Sequence, residues 1–212
     1  AQGGVDEKKL RKLVDFHLRN HTDAIIVCGT TGEASTMPDS EHLKTIQIVV
    51  EQVNGRIPVV AGSGSNDTAH GAMLTKEASA IGADALLIVT PYYNKTSQEG
   101  LYRHYDSISK VTDKPIILYN VPSRTNLNIA PSTIKRLTEI SNIVGVKECN
   151  LNQVAEVRFL CGDDVVIYSG EDGVVIPMLS LGAKGVISVA ANVAPALMSQ
   201  MVHAYLQGDT QT

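Results

Sequence analysis

The chain has 212 residues, a formal net charge of −4, 43% hydrophobic residues and 19% charged residues. That composition supports one core-bearing domain and excludes disordered and fibrous classes. With no run of Lys or Arg, and no apolar stretch near the ~18 residues that span a bilayer, neither a nucleic-acid nor a membrane partner is expected. The opening AQGGVDEKKL has no apolar segment of the signal-peptide kind, so a cytoplasmic location is expected. Cys28, Cys149 and Cys161 are an odd set without metal-like spacing, which fits free thiols in a reducing compartment.

In chain order, helical and strand patterns alternate. Leu10, Leu13, Val14 and Leu18 stand at helical spacing after Asp6, a candidate N-cap. The first apolar run follows at residues 24–29 (AIIVCG). Leu43, Ile46, Val50 and Val53 follow a helix-start pattern, Pro38-Asp39-Ser40-Glu41, and lead to a run at 57–62 (IPVVAG). Leu74, Ala78 and Ile81 follow Asn66-Asp67-Thr68 and precede the run at 85–90 (ALLIVT). Leu101, Tyr105, Ile108 and Val111 follow Ser97-Gln98-Glu99 and precede 115–120 (PIILYN). Ile134 and Leu137 follow Pro131-Ser132 and precede 143–148 (IVGVKE). Val154, Val157 and Leu160 mark a shorter helix, and the last two runs are 165–170 (VVIYSG) and 185–190 (GVISVA).

Each run is nearly continuous in apolar character rather than alternating. That is the mark of strands buried on both faces, as in a parallel sheet covered by helices. Spacings of about 20–33 residues between runs suit βα units. The chain lacks the GxGxxG pattern of a dinucleotide-binding sheet, so the reading is a (β/α)8 barrel forming a single domain over residues 1–212. Seven runs against the eight strands of a closed barrel predict that the first strand and a C-terminal helical region lie outside this sequence.

In such barrels the chemistry sits at the C-terminal ends of the strands. Lys147 is placed there. Strand alternation predicts that Ile143, Gly145 and Lys147 share one face. If that face is the interior, desolvation lowers the lysine pKa and frees a nucleophilic amine; the alternative is a structural ion pair with a neighbouring acid. Tyr119 has the same parity, with Pro115 and Ile117, and is either a proton relay or a core aromatic. Thr30 and Thr31 offer hydroxyls and backbone N–H groups at a strand-to-loop turn, suited to a small carboxylate or simply an ordinary turn. Arg124 is a candidate bidentate clamp for a second carboxylate, or a surface arginine. The six histidines make no metal pair, and no metal is expected.

The segments GTTGEAS (29–35), VTPYYNKTSQEGLYRHY (89–105), LYNVPSRT (118–125), IVGVKE (143–148), YSGED (168–172) and GAKGVISV (182–189) resemble, in order, the dihydrodipicolinate synthase / N-acetylneuraminate lyase family. The resemblance covers nearly the whole chain and implies a Schiff-base, class I aldolase-like lyase without a cofactor. The Gly-Thr-Thr-Gly-Glu loop and the Pro-Ser-Arg-Thr segment resemble the synthase branch, which condenses pyruvate with L-aspartate 4-semialdehyde in lysine and diaminopimelate biosynthesis.

On that resemblance Lys147 forms the imine, while Tyr119, Thr30 and Tyr93 relay protons. Thr31 holds the pyruvate carboxylate and Arg124 the semialdehyde end. The backbone at Gly170 and Ile187 lines the site. Tyr93 is expected to reach a neighbouring subunit's site, which implies a homo-oligomer, commonly a dimer of tight dimers. Ala34, Ser35, His42, Asn66 and Tyr92 match a lysine effector site. Asp39 and His70 depart from its pattern, which predicts weak or absent inhibition by lysine. Two alternatives stay open: a retro-aldol lyase of a 2-keto-3-deoxy sugar acid or N-acetylneuraminate, and a non-catalytic homologue or inactive fragment.

Overall fold

The computed structural model describes residues 3–210. Six parallel strands make one curled sheet in sequence order: β1 (Ile25–Val27), β2 (Val59–Gly62), β3 (Ala85–Val89), β4 (Ile116–Asn120), β5 (Ile143–Glu148) and β6 (Val166–Ser169). The helices between and around them are α1 (Glu7–Arg19), α2 (Asp39–Val53), α3 (Thr68–Ile81), α4 (Gln98–Ser109), α5 (Pro122–Thr125), α6 (Pro131–Leu137), α7 (Val154–Cys161), α8 (Val175–Ser180) and α9 (Pro195–Leu206). This is the (β/α)-barrel architecture expected from the sequence. No helix among the described residues is long and apolar enough to cross a membrane.

Local signals account for most boundaries. Asp6 accepts the Lys9 N–H, Asp67 the Ala69 and His70 N–H groups, and Ser97 the Gly100 N–H, each starting its helix. α2 starts as its sequence pattern predicts but without a side-chain cap: Pro38 is the N-cap residue, and its carbonyl accepts from the Glu41 and His42 N–H groups. Glu41 instead accepts the Val5 N–H through its side chain at 2.6 Å. β1 ends early because Cys28 takes a left-handed conformation, φ 56°.

The strands divide the apolar residues into two layers. Val59, Ala61, Leu86, Ile88, Ile116, Leu118, Val146 and Ile167 pack outward against the helices. Val60, Leu87, Ile117, Tyr119 and Val121 form the interior layer, with Tyr168, Cys149 and Ile187 against it. Burying a large aliphatic side chain contributes about 1.5–3 kcal/mol, so the outer layer, which most of the helices share, holds the array together.

Two expectations are corrected. The seventh run, 185–190, is not a full strand. It bonds along β6 through Lys184 N–H to Ile167 O, Ser169 N–H to Gly185 O and Ile187 N–H to Ser169 O, yet forms only a single bridge, Ser169 with Val186. Asp172 then accepts the Val189 and Ala190 N–H groups, turning the chain into a 3-10 helix, Ala190–Asn192. Second, Ile143 does not share a face with Lys147. The register with β4 shifts between Ile116 and Ile117, leaving half-exposed Val144 without a partner. This bulge turns Ile143 outward while Gly145 and Lys147 face the interior.

Candidate active site

Lys147 is the penultimate residue of β5 and faces the barrel interior, between Tyr119 of β4 and Tyr168 of β6, its register partners on either side. Its side chain is 8% exposed, and Nζ lies 4.2 Å from the centroid of the Tyr119 ring. It makes no ion pair with any described residue. Ring-face contact offsets a little of the cost of burying the charge, but no carboxylate neutralises it. Burial holds the Lys147 amine below the ordinary lysine value; Cys149, Glu171 and Asp172 act against this shift and Arg124 reinforces it. Of the two sequence readings, structural ion pair or activated amine, the geometry supports the second.

Tyr119 is 5% exposed. Burial pushes its phenol up, and a hydrogen bond with Thr30 draws it partly back. Thr30 therefore reaches the interior rim from the turn after β1, although it is largely solvent-exposed. Thr31 and Gly32, also exposed, have backbone N–H groups with no acceptor among the described residues. Arg124, on α5, is exposed and close enough to act electrostatically on both Tyr119 and Lys147. Ile187 packs on the interior layer.

Tyr93 stands apart. It is 90% exposed on the 90–97 connection, with φ 74°. The positions read as an effector site lie around α2 and α3. His42 is buried there and hydrogen-bonded to Gly62 O at 2.7 Å; Asn66 Nδ2 donates to Tyr92 O at 3.2 Å. His70 bridges Asp39 Oδ1 and Ser65 Oγ, each at 3.0 Å. Ala34 and Ser35 form the 3-10 turn before α2. Two clefts elsewhere, about 660 and 540 Å3, open at the N-terminal ends of the strands, away from Lys147.

Two groups beside Lys147 carry no signal in the sequence, and the expected Gly170 stands with them. Tyr168 flanks it on β6. Cys149 lies in the interior, its thiol pushed up to about 12 by burial and therefore neutral. Gly170 closes the space behind both: a Cβ there stands 2.3 Å from Cys149 Sγ and 3.3 Å from Lys147 Cε. Gly170→Ala is expected to cost about 1–3 kcal/mol through overpacking and to disturb the lysine. Adding Cys149→Ala should restore most of the melting temperature; if the double variant melts as low as the single one, the thiol contact is not the cause.

A buried, unpaired lysine beside a phenol at the C-terminal rim of a parallel β/α array suits a Schiff-base type of barrel enzyme. The model of the dihydrodipicolinate synthetase family matches residues 1–212, and the chain belongs to that family. It is 54% identical over 211 residues to the 4-hydroxy-tetrahydrodipicolinate synthase of Acetivibrio thermocellus, covering 100% of this chain and 72% of that one. The dihydrodipicolinate synthase structure from Aquifex aeolicus superposes with a TM-score of 0.96 at 45% identity, over 99% of this chain and 72% of the other. The chloride-inhibited dihydrodipicolinate synthase of Acinetobacter baumannii, solved with pyruvate, gives 0.96 at 44% identity over the same shares.

Proposed function

We propose that this protein condenses pyruvate with L-aspartate 4-semialdehyde through a Schiff base on Lys147, forming 4-hydroxy-tetrahydrodipicolinate. The observation that carries the reading is the Lys147 amine itself: buried, without a counter-ion and facing Tyr119. The name 4-hydroxy-tetrahydrodipicolinate synthase, carried by relatives such as that of Acetivibrio thermocellus, supports this choice of product.

The neutral amine adds to the pyruvate ketone, and loss of water leaves an imine. In its protonated form the imine is an electron sink, so a C3 proton departs and an enamine forms. The enamine carbon bonds to the semialdehyde carbonyl carbon, whose oxygen takes up a proton. The semialdehyde's amino group then attacks the imine carbon, closing the ring and releasing the Lys147 amine. The imine supplies the activation, and no cofactor enters.

Tyr119 and Thr30 carry protons to and from these oxygens, and the free Thr31 N–H and hydroxyl receive the pyruvate carboxylate. Gly170 and Ile187 border the pocket. Arg124, free of any ion pair among the described residues, receives the carboxylate of the semialdehyde. Tyr93, exposed on its own chain, completes the relay in a neighbouring subunit, so the active form is a homo-oligomer with a paired interface at the 90–97 connection. Incubation with pyruvate, borohydride reduction and peptide mapping tests the assignment. A pyruvyl adduct is expected on the Lys147 peptide; no adduct on folded protein overturns it.

Inhibition by lysine is expected to be weak. The Asp39 carboxylate is already engaged by His70, and His70 supplies no negative charge for an ammonium group. Half-inhibition by lysine at sub-millimolar concentration contradicts this.

A further inference from the structure

Lys147 and Glu148 are consecutive, so they leave β5 on opposite faces. Lys147 enters the interior, while Glu148 enters the layer beneath the 121–130 connection, where it is 1% exposed. Its carboxylate has no cationic partner and meets only neutral donors. Asn120 Nδ2 donates to both oxygens at 2.8 and 3.0 Å, the Asn150 N–H to Oε1 at 2.7 Å, and Gln153 Nε2 to Oε2 at 2.8 Å.

Those donors are fixed in turn. Asn120 Oδ1 accepts the Ile129 N–H at 3.0 Å. Gln153 Oε1 accepts from Asn128 Nδ2 at 2.7 Å, and Gln153 Nε2 also donates to Ile129 O at 3.0 Å. Neither amide can flip without losing bonds, so the carboxylate faces donors only, and the ionised form satisfies them. Burial pushes the Glu148 carboxyl up to about 7, and these same hydrogen bonds act against that rise.

The pairing register sets Asn120 across from Glu148 and Tyr119 across from Lys147. The clamp on the outer face thus holds the two strands at the level where Tyr119 and Lys147 meet on the inner face. Through Asn128 and Ile129 it also anchors the far end of the connection that bears Arg124.

We propose that Glu148 is a positioning residue: its carboxylate, clamped by Asn120, Asn150 and Gln153, sets the placement of the Lys147 amine against Tyr119. It touches no reacting atom, and the inference rests on the Schiff-base reading of Lys147.

The test uses Glu148→Gln and Glu148→Asp in the full chain, with pyruvate trapping followed in time. The final amount trapped counts competent sites, and the rate constant reports alignment. A wild type that traps no pyruvate sinks the Schiff-base reading and this inference with it. Given trapping by the wild type, Glu148→Gln is expected to trap on the order of ten- to a hundred-fold more slowly per competent site, as small misplacements at reacting centres do. Glu148→Asp, which keeps the charge, recovers part of that loss. A rate per competent site equal to wild type, with damage confined to the amount trapped or the melting temperature, overturns the inference and leaves the Schiff-base reading standing. If Glu148→Gln yields no folded protein, Gln153→Met removes one donor at similar volume and decides by the same comparison, with slowing expected and an unchanged rate overturning the proposal.

Discussion

Lys147→Met is expected to abolish pyruvate trapping and to lower kcat by on the order of 10⁴–10⁶, the scale of losing a covalent nucleophile. Methionine is one atom shorter than lysine, unbranched and suited to the apolar interior, so the fold has little cavity to absorb. The variant should melt at or above the wild-type temperature, because an uncompensated buried charge has been removed. The sign with pH follows from the lowered lysine pKa. Below its folded-state value the wild type bears the full cost of the buried cation. Above the ordinary value of 10.5 the amine is neutral whether folded or unfolded, and the cost is gone. The stability advantage of Lys147→Met should therefore be largest below the folded-state value of the lysine and vanish in strong alkali. Retained turnover, measured by consumption of pyruvate and semialdehyde, would remove Lys147 from the mechanism. An advantage that grows with pH would mean that the wild-type amine is not destabilised by burial.

Much of this site is legible from position along the strands. Lys147 and Tyr119 fall at the C-terminal ends of apolar runs, and their inward orientation follows from alternation over the last few residues. The same rule failed at Ile143, because a bulge costs one residue of register and leaves no mark on an apolar run. The run at 185–190 failed for a different reason. Its composition suits a strand, but Asp172, distant in sequence, caps its end into a 3-10 turn. α8 and α9 carry apolar residues around much of their circumference (VIPMLS and PALMSQMVHAYL) and no side-chain N-cap, so periodicity does not announce them, and Pro195 at the first turn of α9 is the one start signal between them. The Glu148 clamp was invisible for a third reason. It assembles neutral amides from residues 120, 128, 150 and 153, and only the closed fold brings them together.

The relay predicts a second large effect. Tyr119→Phe removes one oxygen and keeps the ring over which Lys147 Nζ sits, so packing and the cation–ring contact survive. With burial raising the phenol, the hydroxyl is protonated at neutral pH and able to give a proton to the departing water. Losing a positioned acid–base group costs about 10²–10⁴-fold, and a fall of that size in kcat is expected with little change in melting temperature. Pyruvate should still be trapped on Lys147, only more slowly, since the amine remains. In the proposed relay Thr30 shares the proton path, so adding Thr30→Val to Tyr119→Phe should cost little beyond the single change, the non-additivity of groups that work as a unit. Losses that multiply would mean Thr30 acts independently of the phenol. A Tyr119→Phe enzyme within about threefold of wild type, well below that range, would leave Tyr119 as an interior aromatic and nothing more.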